Sequence, residues 1–450
     1  MTVSRVEHAS PPARWQSDDG AAGRPCPYRA RAWWGDTLVA QSSDCIRLER
    51  AGRVPVLYFP RSDVRFGLFR AEDEPRTSQA EGAAMVFSLD VPRETATARE
   101  TGSWRASPDR PQGGRGVLWS LTDPSPGYEW LSDHAAFDDE RVRVEVVDTM
   151  GSDATRDTTV KRFPNWGDAL DLIDVLDVRP DGDRSFVSVA LADERRPIVE
   201  GSQMLGQAIV AATRLAPGRR TVSGHMVFTR PADAHQPLRF ELEEQSGGKT
   251  FTTHSVQVEQ GGRRRATGTL LLDVTSPDVI RHGTPPPDVP GPYESEPLDM
   301  GVTGRDIRVV DGAYTDDPDA PVGPPVLDAW VRFREVPEDP ALHAGLLAQF
   351  TGHLPIAAAL RPHAGIGQRE AHRTLSTAIN AIAISLHREV RADRWMLYHH
   401  LSTFAGDGMT HAEGRVHGEG GELLASFAVD AMVRAFPESS TGNVDDRTAM

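Results

Sequence analysis

The segment Gly201-Ser202-Gln203-Met204-Leu205-Gly206-Gln207-Ala208 opens an apolar helix that is followed by four strand-like runs. Leu205, Ala208, Ile209 and Ala212 recur at helical spacing and form one apolar stripe. A helix this apolar must be covered over most of its surface, and a curved antiparallel sheet can cover it. The segment therefore predicts a unit of one helix wrapped by one sheet.

The same order of elements occurs a second time. Asp339-Pro340-Ala341-Leu342-His343-Ala344 opens a helix with the stripe Leu342, Leu346, Phe350 and Leu354, again followed by four strand-like runs. The predicted strands are 222–228, 238–243, 250–258 and 266–274 in the first repeat, and 378–387, 395–404, 410–417 and 423–433 in the second. The sequence thus predicts an α+β protein with two helix-plus-sheet halves.

The rest of the chain is divided by composition and by turn residues. A helix is expected from Trp166 to Val175, between the early strands and the first repeat. The predicted organisation is a disordered arm at 1–24, a small all-β domain at 25–150, the first half at 151–275, a Pro/Gly/Asp-rich linker at 276–325, the second half at 326–436 and a disordered tail at 437–450.

The charge balance restricts the class of partner. Lys+Arg number 49 against 65 Asp+Glu, so the net charge is -16, and general nucleic-acid binding is not expected because it needs a basic surface. No run approaches the ~18 apolar residues that span a bilayer, so membrane insertion is not expected. The first residues do not form a signal peptide.

Cysteine and histidine usage predicts neither a disulfide framework nor a metal site. Cys26 and Cys45 are the two cysteines of the sequence, which suits a reducing cytoplasm. His399, His400, His411 and His417 cluster in the sequence, but their spacings match no zinc site. We expect a cytoplasmic protein without a bound metal.

The two repeats resemble the type II acyl-CoA thioesterases, the double-hotdog family, over residues 160–436. In the first repeat the similarity is carried by 201–208, 228–233 and 248–253. In the second it is carried by 342–343, 362–363, 387–388, 395–398, 402–403 and 424–426. The resemblance implies a double hotdog that hydrolyses fatty acyl-CoA to free fatty acid and CoA, with acyl-CoA as partner, no cofactor, and self-association into a homo-oligomer left open.

Residues 25–150 resemble a different family, a small all-β bacterial domain of uncharacterised function. The similarity is carried by Trp34-Gly35-Asp36-Thr37-Leu38-Val39-Ala40 and by Tyr58-Phe59-Pro60-Arg61-Ser62-Asp63-Val64. It implies a fold but no chemistry. A packing or oligomerisation module is the favoured interpretation, and a partner-binding module is the alternative.

The thioesterase resemblance also implies site residues, because the family positions a water molecule with a carboxylate, a hydroxyl and a Gln. The hydroxyl position matches Thr403, with Ser402 beside it. The carboxylate position falls on Ile379-Asn380-Ala381. Counted back from His387 the register lands on Ala381, and Asn380, which the pattern favours, requires one extra residue such as a β-bulge. Asn380 can orient water but cannot take its proton.

The Gln position matches Val429, which cannot form a hydrogen bond through its side chain. Asp430 is adjacent, but strand alternation directs it to the opposite face. His399 shares strand parity with Thr403 and is the candidate substitute base. The two departures favour, as the alternative function, a catalytically impaired acyl-CoA binding or scaffolding protein.

Four further residues of the matching motifs are expected to bind substrate: Gly201, Gln207, His343 and Trp395. The resemblance implies that backbone N–H groups near a helix N-terminus hold the developing oxyanion, and the substrate is expected in a groove beside the second helix. For Gln207, a purely structural role is the competing interpretation.

Overall fold

The fold was analysed on a computed structural model. It describes residues 15–17, 21–89, 114–147, 160–190 and 198–436, apart from short gaps at 27–28, 36, 51–52, 74, 79–80, 139–140, 163–166, 299, 301, 315–319, 334–336 and 372–373. The chain forms two compact units, Met1–Asp168 with Gly301–Thr303, and Ala169–Met300 with Gly304–Met450.

The first unit is built from short antiparallel strands. One sheet has nine strands in the order β1-β2-β5-β6-β11-β10-β9-β7, with β8 paired to β9, and a second has the order β13-β12-β3-β4. The strands are β1 Trp15–Gln16, β2 Ala22–Pro25, β3 Arg29–Trp34, β4 Thr37–Ser42, β5 Ile46–Arg50, β6 Arg53–Pro60, β7 Phe69–Ala71, β8 Arg76–Ser78, β9 Gly82–Leu89, β10 Leu118–Pro124, β11 His134–Phe137, β12 Arg143–Val147, β13 Val160–Arg162 and β14 Gly167–Asp168.

Adjacent residues of β6 enter two different apolar cores in this unit. Phe59 packs edge-to-face on Phe137 in one core, and Tyr58 packs with Leu131 in the other. This is the alternation expected of a strand covered on both faces. The all-β character predicted for the N-terminal domain is confirmed, whereas its bounds, 25–150, stay a prediction.

The second unit contains one antiparallel sheet of thirteen strands, β15-β16-β18-β19-β20-β17-β25-β28-β27-β26-β24-β23-β21. Its strands, together with β22 of the first unit, are β15 Arg179–Pro180, β16 Ser185–Val187, β17 Arg220–Phe228, β18 Arg239–Gly247, β19 Phe251–Gln260, β20 Arg263–Asp273, β21 Glu296–Pro297, β22 Val302–Thr303, β23 Arg305–Val309, β24 Val326–Phe333, β25 Leu375–Leu386, β26 Met396–Gly406, β27 Met409–Gly418 and β28 Leu423–Ala435.

The two halves of the second unit join edge to edge, as predicted for a double hotdog. β17 of the first half pairs with β25 of the second, from Ser223–Ser385 to Val227–Ala381. Pairing these two edges leaves neither of them exposed.

The described residues of the second unit form the α-helices α1 Ala169–Leu176, α2 Gly201–Leu215, α3 Pro340–Phe350 and α4 Pro355–Leu360. The predicted stripe of α2, Leu205, Ala208, Ile209 and Ala212, is fully buried. The helices α2 and α3 cross where Gly206 meets Gly345: a Cβ on Gly206 would lie 2.7 Å from the carbonyl oxygen of Gly345. Glycine is therefore required for this close approach.

Three predicted boundaries differ from the structure. Inside the predicted arm, Trp15–Gln16 pairs with Ala22–Pro25, and Ala22–Pro25 also pairs with β5. These residues therefore belong to the sheet. The stretch 276–325 contributes β21 and β23 to the sheet, with β23 bonded along β24. The expected helix near Trp166 is α1, although Trp166 lies outside the described residues, as do residues 1–14 and the predicted tail 437–450.

The stripe predicted for the second helix is also shorter than expected. Leu342, Leu346 and Phe350 are buried in α3, but Leu354 follows the end of that helix and precedes α4. The physical reason is Pro355, which cannot continue a helix from its interior and instead occupies the first turn of α4.

Candidate active site

Asn380 lies in a β-bulge, as the register count from His387 required. The pairing of β25 with β28 shifts between Ile379–Ala431 and Ala381–Asp430, which leaves Asn380 as the extra residue. Its side-chain oxygen Oδ1 is buried and accepts no hydrogen bond from any described residue. A buried acceptor in this condition destabilises the fold unless a ligand or water supplies the donor.

The N-terminus of α2 lies at the same end of the junction between the halves. Since Val227 pairs with Ala381, the next residue of β17, Phe228, lies beside Asn380. The Phe228 ring covers Gly201, where a Cβ would lie 2.7 Å from Cε2 of the ring. The predicted residue Gly201 and the bulge residue Asn380 therefore lie at the same end of the β17–β25 pairing, one in each half.

Ser202 supplies a second contact between α2 and the other half. A Cβ on Gly352, which follows α3, would lie 2.7 Å from Oγ of Ser202 and 3.8 Å from Cδ1 of Ile382 on β25. The first turn of α2 is therefore packed against β25 and against the end of α3. Only residues without side-chain bulk at 201 and 352 allow this approach.

The N-termini of the two long helices differ in their capping. At α3, the Asp339 carboxylate accepts the backbone N–H of Ala341 at 2.9 Å and also accepts from Arg214 at 2.7 Å. At α2, the N-cap residue Glu200 makes no side-chain capping bond. Anion-binding N–H groups are thus occupied by the protein itself at α3, whereas at α2 they are not capped by Glu200.

A buried polar cluster borders the open N-terminus of α2. Gln349 of α3 donates from Nε2 to Oε2 of Glu200 at 3.1 Å and accepts from Arg305 of β23 at 3.5 Å. Nε2 of His353 lies 3.7 Å from the same Glu200 oxygen, and its ring stacks on Phe350 with 4.7 Å between centroids. The cluster links the start of α2 to the end of α3.

Thr403 also lies in a bulge, on β26. The pairing with β27 shifts between Ser402–Ala412 and Phe404–His411, so Thr403 is the extra residue, and its side chain is exposed. Ser402 is buried, and its hydroxyl contacts the carbonyl oxygens of Phe404 at 3.4 Å and His411 at 3.3 Å.

One row across the sheet connects the two bulges. Asp430 on β28 is opposite the bulge at Asn380, and it pairs with His411 on β27, which is opposite the bulge at Thr403. The Asp430 carboxylate is 53% exposed and lies 2.6 Å from Nδ1 of His411. No bulge in β28 turns Asp430 inward, so it stays on the face opposite the buried Val429.

His399 lies on the outer face of the sheet, away from the helices. Its neighbour Tyr398 donates to the carbonyl oxygen of Leu347 in α3, and alternation directs His399 to the other side. There Nδ1 of His399 lies 2.8 Å from Asp328 of β24. The structure therefore separates His399 from the N-terminus of α2.

Three of the predicted substrate-binding residues are buried in packing contacts. Gln207 is fully buried and donates to the carbonyl oxygen of Val175 at 2.8 Å, which fastens α1 to α2. His343 accepts the backbone N–H of Ala392 at 3.0 Å through Nδ1, and burial lowers its pKa. Trp395 is 2% exposed and donates to the Tyr293 hydroxyl at 3.3 Å.

Trp395 is also far from the β-bulge at Thr403. It immediately precedes β26 and therefore lies at the opposite end of that strand from Thr403. Of the four predicted substrate-binding residues, Gly201 lies under the Phe228 ring at the Asn380 end of the β17–β25 pairing, and the other three lie in the protein interior.

Within the described ranges, no group of three or more His, Cys, Asp or Glu side chains could hold a metal ion. Among the same residues, no helix is long and apolar enough to cross a bilayer.

This geometry defines a class of protein: a double hotdog whose junction holds an uncapped helix N-terminus and a buried, unsatisfied amide. Comparison with known families agrees. Residues 193–272 match the acyl-CoA thioesterase N-terminal domain, residues 281–433 the acyl-CoA thioesterase C-terminal domain, and residues 23–148 a domain of unknown function, DUF427. The chain belongs to the acyl-CoA thioesterase family.

The individual relatives are distant in sequence, but the matched region covers most of the length of each relative. The chain is 25% identical over 274 residues to human acyl-coenzyme A thioesterase 8, covering 53% of this chain and 82% of that protein. It is 25% identical over 255 residues to acyl-CoA thioesterase 2 of Haemophilus influenzae, covering 52% of this chain and 87% of that protein.

Among solved structures, an acyl-CoA thioesterase II from Mycobacterium marinum is 26% identical, with a TM-score of 0.51 and coverage of 60% of this chain and 99% of that one. The tesB protein of Mycobacterium avium subspecies paratuberculosis, 23% identical with a TM-score of 0.50, shares the fold over 59% of this chain and 98% of its own.

Sequence reasoning did not find Glu200, Gln349 and His353. Glu200 directly precedes the motif that begins at Gly201, and Gln349 and His353 are four residues apart. Gln349 lies in the last turn of α3 and His353 in the turn after it, so helical spacing does not bring them together, and nothing in the sequence joins either residue to Glu200.

Proposed function

We propose that this protein hydrolyses acyl-CoA thioesters to a carboxylic acid and CoA, with the reaction centred on the N-terminus of α2. The observation that carries the proposal is the pairing of an uncapped helix N-terminus at Gly201 with the buried, unsatisfied Oδ1 of Asn380. The resemblance to type II thioesterases points to the same end of β25.

The uncapped N–H groups suit the charge that develops in the reaction. When water attacks a thioester, the carbonyl oxygen becomes an oxyanion, and backbone N–H donors at the positive end of a helix stabilise it. Asn380 orients the water by accepting one of its hydrogens through Oδ1. Thr403 is the hydroxyl that the resemblance assigns to the same water.

The closed N-terminus of α3 explains why one site per chain is proposed. In a double hotdog the two helix N-termini are pseudo-equivalent, but Asp339 and Arg214 fill the one at α3. At α3 the backbone N–H of Ala341 already donates to Asp339 and is not available to an oxyanion, so we place the reaction at α2 instead of beside the second helix, α3. The active site is therefore assigned to the junction formed by α2 and β25.

The cellular compartment of the protein is also part of the proposal. Cys26 and Cys45 are the two cysteines of the sequence. So low a cysteine content suits a reducing compartment, and we infer the cytoplasm. A fatty acyl-CoA substrate is inferred from the family, and self-association stays a prediction.

The test is thiol release from a panel of acyl-CoAs, from acetyl to palmitoyl, by the full chain and by Thr403→Ala. The matched control is Thr269→Ala, an exposed strand threonine of β20 in the first half. We expect turnover that falls at least about tenfold in Thr403→Ala and stays within twofold in Thr269→Ala.

The alternative function has its own signature in the same experiment. Saturable acyl-CoA binding by calorimetry without thiol release from any substrate would mean a binding protein on a thioesterase scaffold. Equal turnover in Thr403→Ala and the wild type would remove Thr403 from the reaction.

A further inference from the structure

We propose that Glu200 is the general base of this site and replaces the carboxylate that β25 lacks at Asn380. The inference rests on the proposed thioesterase function. It goes beyond the family resemblance, because Glu200 belongs to the first half and the expected carboxylate to the second. The carrying observation is the cluster of Glu200 with Gln349 and His353 at the uncapped end of α2.

The reaction needs a proton acceptor that Asn380 cannot provide, because an amide has no accessible basic form. Glu200 directly precedes Gly201, whose position under Phe228 brings it to the Asn380 end of the junction. Its side chain is 30% exposed, so it reaches solvent, whereas that of His353 is 4% exposed. A group that deprotonates a bound water must be accessible to that water.

The other carboxylates and histidines that the sequence suggested lie elsewhere. Asp430 and His411 bond to each other on the exposed outer face. His399 and Asp328 form a second pair on that face. Neither pair borders the N-terminus of α2, so Glu200 is the carboxylate that the fold brings to the oxyanion-binding end of the helix.

The cluster holds the Glu200 carboxylate in one place. Gln349 donates to Oε2 and is itself bonded to Arg305, so the positive charge of Arg305 acts on Glu200 through one amide. The charged and titratable groups that the cluster brings to Glu200 are Arg305 from β23 and His353 from the turn after α3. Gln349 and His353 are positioning residues, since they act through Glu200.

The proposed step balances without a cofactor. The oxygen of water attacks the thioester carbonyl carbon while Glu200 takes one proton from that water, and the N–H groups of α2 hold the oxyanion. The tetrahedral intermediate collapses, the C–S bond breaks with its electron pair on sulfur, and the proton passes from Glu200 to the CoA thiolate. The products are the free acid and CoA, and Glu200 is again a carboxylate.

The experiment uses the full chain with Glu200→Gln, Glu200→Asp, Asn380→Asp and the double variant Glu200→Gln/Asn380→Asp. Glu241→Gln is the matched control, because Glu241 is an exposed glutamate of β18 paired with Arg239. The readouts are kcat and KM for thiol release between pH 5 and 9, calorimetric binding of the acyl-CoA that the wild type turns over best, and the melting temperature.

If Glu200 is the base, Glu200→Gln lowers kcat by about 10²-fold or more, abolishes the acid limb of the pH profile and leaves acyl-CoA binding within twofold. Glu200→Asp retains part of kcat, and Asn380→Asp in the Glu200→Gln background restores at least about tenfold. Glu241→Gln behaves as wild type.

Two results would overturn the assignment in different ways. Wild-type kcat and an unchanged pH profile in Glu200→Gln would refute the base while leaving the thioesterase function intact. A loss of kcat in Glu200→Gln that comes with lost binding or a lowered melting temperature, and is not rescued by Asn380→Asp, would show a structural role. No thiol release by the wild type would refute the proposed function and the base together.

Discussion

Replacing Gly206 with alanine tests the close crossing of α2 and α3 that joins the two halves. A Cβ at this position would lie 2.7 Å from the carbonyl oxygen of Gly345 and 3.1 Å from Cδ2 of Leu176. The first contact is with backbone, which cannot rotate away, so the helices must separate. Gly206 lies four residues after Ser202, which packs against Gly352 at the start of α2. Separating the helices at Gly206 should therefore also displace the N-terminus of α2.

The expected magnitude combines two opposing effects. Overpacking a well-packed core costs about 1–3 kcal/mol, while alanine in place of glycine stabilises a helix interior by about 1 kcal/mol. Because the close contact is with a backbone oxygen, the overpacking cost lies in the upper part of its range, about 2–3 kcal/mol. We therefore expect a net loss of about 1–2 kcal/mol in the free energy of unfolding of the second unit, together with a lower kcat.

Hydrogen exchange of the α2 and α3 amides with increasing guanidinium measures that free energy for this unit alone. Gly345→Ala is the matched comparison, because its Cβ would meet Cγ2 of Val210 at 2.9 Å, a side chain that can be trimmed. Val210→Ala should relieve Gly345→Ala and not Gly206→Ala. Equal or greater stability in Gly206→Ala would refute the reasoning.

Two further predictions concern buried side chains of β26 and its N-terminal flank. Burial lowers the pKa of His400 to about 4, below its value of about 6.5 in an unfolded chain. The folded state therefore binds fewer protons, and stability present above pH 6.5 is lost as pH falls through 4, by about 2–3 kcal/mol at pH 4.5. His400→Gln should lack that loss of stability between pH 7 and pH 4.5, measured by chemical denaturation at both pH values. A pH dependence equal to that of the wild type would contradict the prediction. Trp395→Phe removes the bond to Tyr293 and should lower stability by about 1 kcal/mol with KM within twofold. A tenfold rise in KM at unchanged stability would show instead that Trp395 contributes to substrate binding.

The elements of the second unit were predictable because their apolar periodicities agree with the turns between them. Strand 266–274 was expected and β20 runs from Arg263 to Asp273; strand 378–387 was expected and β25 runs from Leu375 to Leu386. The strands β21 and β23 were missed because Pro and Asp dominate the composition around them. β23 is held by pairing with β24 and β21 by pairing with β23, contacts that local sequence does not encode.

The candidate site was predictable in part. The register count from His387 required an extra residue at Asn380, and the structure has the bulge there. Strand parity suggested that His399 could serve Thr403, but a bulge at Thr403 breaks that parity, and His399 pairs with Asp328 instead. Parity arguments fail across a bulge because the alternation of faces restarts after it.

The sequence by itself determined that two apolar helices each precede four strands, and therefore that two sheets must cover two helices. Which helix N-terminus stays open was decided by tertiary structure alone. Asp339 caps its own helix and is fixed there by Arg214 from the other half, whereas the Glu200 carboxylate is drawn away from its helix by Gln349. Both are acidic N-cap residues, and only long-range packing gives Asp339 a capping role and directs Glu200 to Gln349.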